Sequence, residues 1–263
     1  MMRYLRLHRI FIAQYLKKLM EYKIDFLLGA IGLIFAQAIR LAFIGIIFSQ
    51  IPALDGWSFE EILFIYGFSL IPKSLDHLFT DNLWMVGFRI VRKGEFDKYL
   101  TRPINTLYHV IAENFCVDAF GELFICVLLL AYSIPALGMP FYWYTIPLWI
   151  IAAVFATLIY TSLKIITAAI AFWTKASGHI IHMLYMVNDF SKYPVSIYNK
   201  VVQNVITYII PFAFTAYFPA SYFLTGENPL FCIGGTVIAG SVLFVIALFV
   251  WSRGLRAYES AGS

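Results

Sequence analysis

No charged residue interrupts the stretch Phe231–Trp251, FCIGGTVIAGSVLFVIALFVW. A transmembrane α-helix needs about 20 mostly apolar residues, so this stretch predicts a helix that crosses a bilayer. Five other stretches have a similar character, although the fifth span is short and becomes polar at its end. The six predicted spans are Ile24–Phe48, Phe59–Met85, Leu107–Ala131, Thr145–Phe172, Ser177–Phe190 and Phe231–Trp251. The sequence therefore predicts an all-α integral membrane protein with a single transmembrane domain over residues 1–263.

The composition of the whole chain agrees with this class. Hydrophobic residues make up 61% of the sequence and charged residues only 13%, against about 25% charged in a typical soluble domain. The net charge of +4 does not indicate nucleic-acid binding, because the basic residues are confined to particular loops. No cleavable signal peptide is apparent, so we expect the first span to remain as an anchor.

The positions of Lys and Arg predict the orientation of the spans. Of the 19 basic residues, fourteen fall in segments that are cytoplasmic if the N-terminus is inside, two fall in outer segments and three lie within spans. Basic residues concentrate in cytoplasmic loops of membrane proteins. We therefore predict that both termini are cytoplasmic and that the number of crossings is even, in a multi-pass protein of a bacterial plasma membrane.

Two segments are expected to lie at the membrane surface rather than to cross it. Residues 1–23 have apolar residues at near-helical spacing and basic residues on another face, which predicts an amphipathic helix in the headgroup plane. Residues 193–224 are apolar but contain Pro211 and Pro219, which interrupt helical hydrogen bonding. We interpret them as re-entrant outer helices, and a kinked seventh span is the alternative.

The most charged stretch lies between the second and third spans. Residues 88–104, here called the coupling segment, include the run IVRKGEFDKYLTRPI from Ile90 to Ile104. Gly94 and Pro103 favour a short helix bounded by turns. Acidic residues near its start and a basic residue near its end suit the helix dipole. Such a helix can dock into a groove on a soluble partner, and an ordinary basic loop is the alternative interpretation.

This run resembles the segment that follows the second span in permease subunits of type-two ABC exporters. In those subunits the segment often has the sequence R-K-G-E-L-D-x-x-L-x-R-P. The one departure noticed is Phe96, where an aliphatic residue is usual. The N-terminal helix, the six spans and the broken helices before the last span are similar to that family too. The resemblance assigns contact with an ATPase to Arg89, Arg92, Lys93, Gly94, Glu95, Asp97, Leu100, Arg102 and Pro103.

The resemblance also implies a division of labour. The chain has no G-x-x-x-x-G-K-[ST] phosphate loop, so no cofactor is expected in it, and ATP and Mg²⁺ would bind to separate ATPase subunits. A second permease subunit, with a homologous partner slightly favoured over a second copy, would complete the substrate path. The chain itself is not expected to be an enzyme, and lipid is its other predicted partner.

Ionisable groups within predicted spans are candidates for function. The second span carries four ionisable groups at helical spacing on one face, Lys73, Asp76, His77 and Asp81. Two interpretations remain open: the groups pair with one another, or they line a substrate path. In the third span Asp118 and Glu122 share a side, with Lys164 and Arg40 as candidate counter-ions. The complete set of candidates is Arg40, Lys73, Asp76, His77, Asp81, Asp118, Glu122 and Lys164.

Other functions are weaker interpretations of the same residues. His179 and His182 share a helix face, but two histidines are too few for a metal site without other ligands, and the cysteines show no metal-ligand spacing. No metal is therefore expected. A membrane anchor or assembly subunit that opens no path is one alternative function. A lipid-modifying enzyme that uses Asp118, Glu122 or the histidines is another.

Overall fold

The computed structural model describes residues 23–140 and 142–260, together with Leu7, Ala13 and Lys17. This part of the chain consists of helices without a β-strand, which confirms the all-α membrane class. Within these described residues, five helices are long and apolar enough to cross a membrane. The amphipathic helix predicted for residues 1–23 lies almost wholly outside the described residues and stays a prediction.

The α-helices, numbered along the described chain, vary from single turns to long spans. They are α1 (Lys23–Gln50), α2 (Phe59–Thr80), α3 (Asn82–Met85), α4 (Asp97–Leu100), α5 (Thr106–Glu113), α6 (Ala119–Ala136), α7 (Ile146–Thr174), α8 (Gly178–Asn188), α9 (Lys200–Asn204), α10 (Tyr217–Thr225) and α11 (Gly235–Ala257). π-Helical turns occupy Val86–Ile90, Val205–Ile209 and Leu230–Gly234, and 3₁₀ turns occupy Trp143–Thr145, Asp189–Lys192, Val195–Ile197 and Phe212–Thr215.

Local sequence explains where the long helices start and stop. Helix α2 begins with a capping box, in which the Ser58 hydroxyl accepts from the Glu61 amide and the Glu61 carboxylate accepts from the Ser58 amide. This exchange satisfies two amide groups that the first helical turn would otherwise leave unpaired. Helix α7 has a proline in its first turn and ends at Thr174, and the next residue, Lys175, has a left-handed φ of 66°. A left-handed residue terminates a helix because it turns the backbone away from the axis.

Close contacts establish the directions of the helices. Helices α2 and α6 are antiparallel, since a Cβ on Gly67 would meet Leu129 while Lys73 reaches Glu122. Helices α7 and α11 are parallel and very close. A Cβ on Gly240 would lie 2.7 Å from the Phe155 carbonyl oxygen, and one on Gly254 would lie 2.6 Å from the Phe172 ring. Glycine at both positions therefore permits the approach of the two helices.

The parallel packing of α7 and α11 constrains the chain between them. Both helices run toward the end of the bundle that carries the coupling segment, so residues 175–229 must return across its full thickness. The predicted fifth span, 177–190, was expected to make that crossing as one helix. Instead α8 has only 11 residues and is about 16 Å long at 1.5 Å per residue, which is too short for a core of about 30 Å. The crossing is completed by the irregular segment that follows.

Two other predicted segments differ in detail from the structure. The third span, 107–131, is divided into α5 and α6 by residues 114–118, where the helical hydrogen bonding stops at Asn114. Residues 193–224 contain only short helical pieces, and the turn Phe212–Thr215 is buried. Residue Ala220 packs in one apolar cluster with Phe64 and Phe68 of α2. Residues 211–216 and 219–220, which contain both prolines, are thus covered by protein, which is what broken backbone at membrane depth requires.

Candidate functional site

The coupling segment is anchored to the bundle by one aromatic side chain. Phe96 is fully buried, and its ring lies 4.8 Å from that of Phe172 in α7, 6.2 Å from Trp251 in α11 and 5.1 Å from Tyr258. Tyr99 packs against it at 5.4 Å. Aromatic pairs at such distances contribute stability beyond their buried area. Phe96 therefore connects the segment directly to the ends of two parallel helices.

Hydrogen bonds to other elements hold the same segment in place. The Asp97 carboxylate accepts from the Tyr258 hydroxyl at 2.9 Å and from the Ser260 hydroxyl at 2.6 Å. Burial, together with the adjacent Asp97 carboxylate, raises the pKa of Tyr258 to about 12, so its phenol stays a donor at neutral pH. On the other side Lys98 reaches Glu113 at 2.8 Å. The segment is thus attached to α5 and to the chain beyond α11.

The remaining candidates in the coupling segment are largely exposed. Arg89 pairs with Glu95 at 3.5 Å, and their side chains are 53% and 38% exposed. Gly94 forms the turn with a φ of 70°, as the sequence indicates. Leu100 is 48% exposed, and Arg92, Lys93, Arg102 and Pro103 are exposed as well. Together these residues present a mostly basic surface that also contains the apolar side chains of Leu100 and Pro103, whereas Asp97 bonds to Tyr258 and Ser260 within the chain.

A second group of candidates forms a charge network inside the bundle. Its members, linked by contacts within 4 Å, are Lys73, Asp76, His77, Asp81, Glu122 and Lys164. At its centre the Lys164 ammonium, which is fully buried, lies 2.8 Å from Asp76 and 3.3 Å from Asp81. Asp76 also accepts from Tyr185 at 2.7 Å and from Thr161 at 3.1 Å. These bonds compensate the cost of burying the ion pair.

The pairing agrees only in part with the sequence-based interpretation, since His77 and Asp81 approach within 3.8 Å of each other but the other pairs join different helices. Lys73 pairs with Glu122 of α6 at 2.5 Å rather than with its neighbours on α2, and Lys164 pairs with the α2 carboxylates rather than with Asp118 or Glu122. Asp118 forms no ion pair among the described residues. Arg40 lines a small cleft of about 190 Å³ with Lys73, His182 and Asp189. Spacing on one helix shows which groups share a face, but it does not show which neighbouring helix packs against that face.

The network is buried at one side and accessible at the other. The His77 and Asp81 side chains are 24% and 30% exposed. They line a cleft of about 440 Å³ together with Lys73, Glu122 and Trp84. Charged side chains in a cleft within a membrane protein can contact a polar solute or ion.

A larger, mostly apolar cleft of about 640 Å³ lies at the opposite end of the bundle. Trp149 and Phe223 stack there with ring centroids 4.2 Å apart, and Tyr142 and Tyr144 stack at 5.0 Å. Tyr142 and Tyr144 lie near a predicted span end, where aromatic residues are typical of the membrane interface. Nothing in the sequence indicates that Phe223 of α10 lies against Trp149.

A polytopic helical bundle with a rigidly anchored polar segment at one end has the features of a transporter membrane domain. Residues 34–262 match the family model described as ABC-2 family transporter protein. The chain therefore belongs to the ABC-2 transporter family and is an ABC-2 type permease, which confirms the resemblance noted above. Such permeases are membrane components that associate with ATPase subunits. No curated protein and no solved structure matches the chain.

Proposed function

We propose that the chain is the permease subunit of an ATP-driven exporter, which forms the substrate path with a second permease subunit in a bacterial plasma membrane. Both termini are cytoplasmic in this proposal, and cytoplasmic ATPase subunits bind ATP and Mg²⁺ and dock on the coupling segment. The observation that carries the proposal is the two-sided character of this segment. Phe96 is buried between α7 and α11, whereas the basic residues around it are exposed.

This arrangement suits the transmission of movement. An ATPase that pushes on an exposed, flexible loop would only deform the loop. A push on a segment whose anchor ring contacts Phe172 and Trp251 moves the ends of two helices that are tightly packed along their length. Packed interfaces shift between discrete arrangements rather than deforming continuously. ATP binding and hydrolysis can then bias the equilibrium between two arrangements of the bundle.

The lateral surface of the bundle has room for a second permease. Only 11% of the most apolar window of α1 is buried, and Ile31, Phe35 and Phe43 on this helix are more than half exposed. The cleft beside the charge network includes Leu33 of the same helix. A second permease packed near α1 would enclose this cleft, and lipid would cover the apolar surface that remains.

Purification in mild detergent from the native host, followed by mass spectrometry, tests the assembly. We expect a stoichiometric subunit with a phosphate-binding loop and either a homologous permease or a second copy of this chain. If the chain is recovered alone under conditions that preserve comparable ABC assemblies, the proposal is wrong.

Charge reversal on the exposed face tests the docking surface within that assembly. The variant Arg92→Glu with Lys93→Glu should reduce recovery of the ATPase, because both side chains are exposed and a docked partner would meet them directly. Lys200→Glu is the matched control, since Lys200 is also exposed but belongs to α9, outside the coupling segment. Equal recovery of the ATPase with both variants would exclude this docking surface.

A further inference from the structure

The side chains of His77, Asp81 and Cys116 converge at the edge of the charge network. One potential ligand atom from each lies within 4.8 Å of the other two. The Asp81 Oδ2 atom is 3.8 Å from His77 Nε2 and 3.8 Å from Cys116 Sγ. In a tetrahedral zinc site, bond lengths of about 2.0–2.3 Å place such ligand atoms roughly 3.3–3.6 Å apart. The two separations from Asp81 are therefore a few tenths of an ångström longer than that geometry requires.

Two elements bring these residues together. His77 and Asp81 are four residues apart at the end of α2, so they share one helix face. Cys116 belongs to the break between α5 and α6, and its amide donates to the Leu78 carbonyl at 3.1 Å. This backbone hydrogen bond fixes the break against α2. The third ligand thus has a defined position although it lies in an irregular segment.

Glu122 provides the support that a metal-binding histidine needs. The second ring nitrogen of His77, Nδ1, lies 3.6 Å from Glu122 Oε2. This oxygen is buried and makes no hydrogen bond within the described part of the chain. Metal-bound histidines almost always donate their other N–H to a carboxylate or carbonyl, which fixes the tautomer. Glu122 can accept that hydrogen bond while its Oε1 stays with Lys73.

The charges of the network also accommodate a cation here. Three carboxylates, Asp76, Asp81 and Glu122, face two ammonium groups, Lys73 and Lys164. With His77 neutral, the state in which a histidine binds a metal, the sum is −1, and an unbalanced buried charge is costly. A dication together with a Cys116 thiolate adds +1 and brings the sum to zero. The remaining Asp81 oxygen, Oδ1, still accepts from Lys164 at 3.3 Å.

We propose that His77, Asp81 and Cys116 bind a transition-metal dication of the zinc class, with a fourth coordination position open toward the cleft. Thiolate and imidazole ligands select zinc-like ions over Mg²⁺ and Ca²⁺. The partial exposure of His77 and Asp81 leaves space for water or a solute at the fourth position. The bound ion would connect the end of α2 to the break between α5 and α6. The chain leads from this end of α2 to the coupling segment.

Protection of Cys116 from alkylation tests this site without any transport assay. The full-length protein with Cys126→Ala and Cys232→Ala has Cys116 as its only cysteine. Zn²⁺ at ten times its dissociation constant leaves about one site in ten free, so maleimide labelling should slow about tenfold. Mg²⁺ at the same concentration should have no effect. Equal labelling rates with and without Zn²⁺ would overturn the proposal.

Two variants locate the bound ion. His77→Gln in the same background should abolish the protection by Zn²⁺. His182→Gln should retain it, because His182 lines the separate cleft of about 190 Å³ beside Arg40. Protection that persists in His77→Gln would place the ion elsewhere and contradict the proposal. If His77→Gln does not fold, Co²⁺ binding to the parent decides instead. A thiolate-to-cobalt charge-transfer band that disappears on Cys116→Ser supports the site, and the absence of that band overturns it.

Discussion

Asp76 shows at the scale of one residue how a charge is held inside this bundle. Its carboxylate is 1% exposed and accepts from Lys164, Tyr185, Thr161 and Thr80. We expect Asp76→Asn to destabilise the protein by about 3–5 kcal/mol, because it leaves the Lys164 ammonium buried with only the longer contact to Asp81. Thermal unfolding in detergent measures this loss.

Two further variants separate the lost ion pair from a general effect of substitution. Asp76→Asn combined with Lys164→Met should unfold at a higher temperature than Asp76→Asn alone, because the unpaired charge is gone. Lys200→Met, at an exposed position, should change stability by less than about 0.5 kcal/mol. A double variant that is less stable than the single one would contradict the role of Lys164 as the counter-ion.

At the scale of the element, the anchor of the coupling segment can be removed without touching its exposed charges. Phe96→Ala should cost about 3–5 kcal/mol, because it leaves a cavity among the rings of Phe172, Trp251 and Tyr258. The loosened segment should be cleaved faster by trypsin after Arg92 and Lys93. Limited proteolysis followed by mass spectrometry of the fragments measures the rate.

Leu100→Ala is the control for this experiment. It removes an apolar side chain from the same segment, but Leu100 is 48% exposed and its loss leaves no cavity. The trypsin cleavage rate of this variant should match that of the unsubstituted protein. If Phe96→Ala is cleaved no faster than Leu100→Ala, Phe96 is not the anchor.

The coupling segment also shows what could be predicted from sequence. The turn at Gly94 and the first-turn position of Asp97 in α4 follow from local residue preferences, and the structure has both. The burial of Phe96 does not follow, because it depends on the ends of α7 and α11, which are remote in sequence. For the same reason the Asp97–Tyr258 contact, which joins residues 161 positions apart, has no local signal.

The same distinction holds for the spans and the charge network. Long apolar runs predict where helices lie, because the bilayer imposes a length that is visible in one sequence. Such runs do not predict that the fifth crossing uses short helical pieces. Contacts such as the 2.5 Å hydrogen bond from Tyr160 to Asn188 hold these pieces in place, and they form only when α7 and α8 pack together. The proximity of Cys116 to His77 and Asp81 likewise depends on tertiary packing, and no spacing along the chain indicates it.

At the scale of the whole molecule, the parallel packing of α7 and α11 determines how many times the chain crosses. The two helices run in the same direction, so residues 175–229 must connect opposite ends of the bundle. Helix α1 is antiparallel to α2, since Phe48 contacts Phe59 at 5.5 Å while the Tyr66 hydroxyl donates to Gln37. The beginning of α1 and the end of α11 therefore lie at the same end. These contacts support the prediction of an even number of crossings without reference to basic residues.

Single cysteines on either side of the irregular crossing test this topology in intact cells. Ala176 and Glu227 are both exposed and lie at opposite ends of the segment 175–229. In a background without other cysteines, a membrane-impermeant maleimide should label Glu227→Cys in intact cells and Ala176→Cys only after permeabilisation. Cysteine at Glu259 should behave like cysteine at Ala176, since the segment beyond α11 contacts Lys175 through the Glu259 carbonyl at 3.1 Å. Labelling of Ala176→Cys and Glu227→Cys from the same side would mean that the short helices enter the membrane and return, and the parallel arrangement of α7 and α11 would then be wrong.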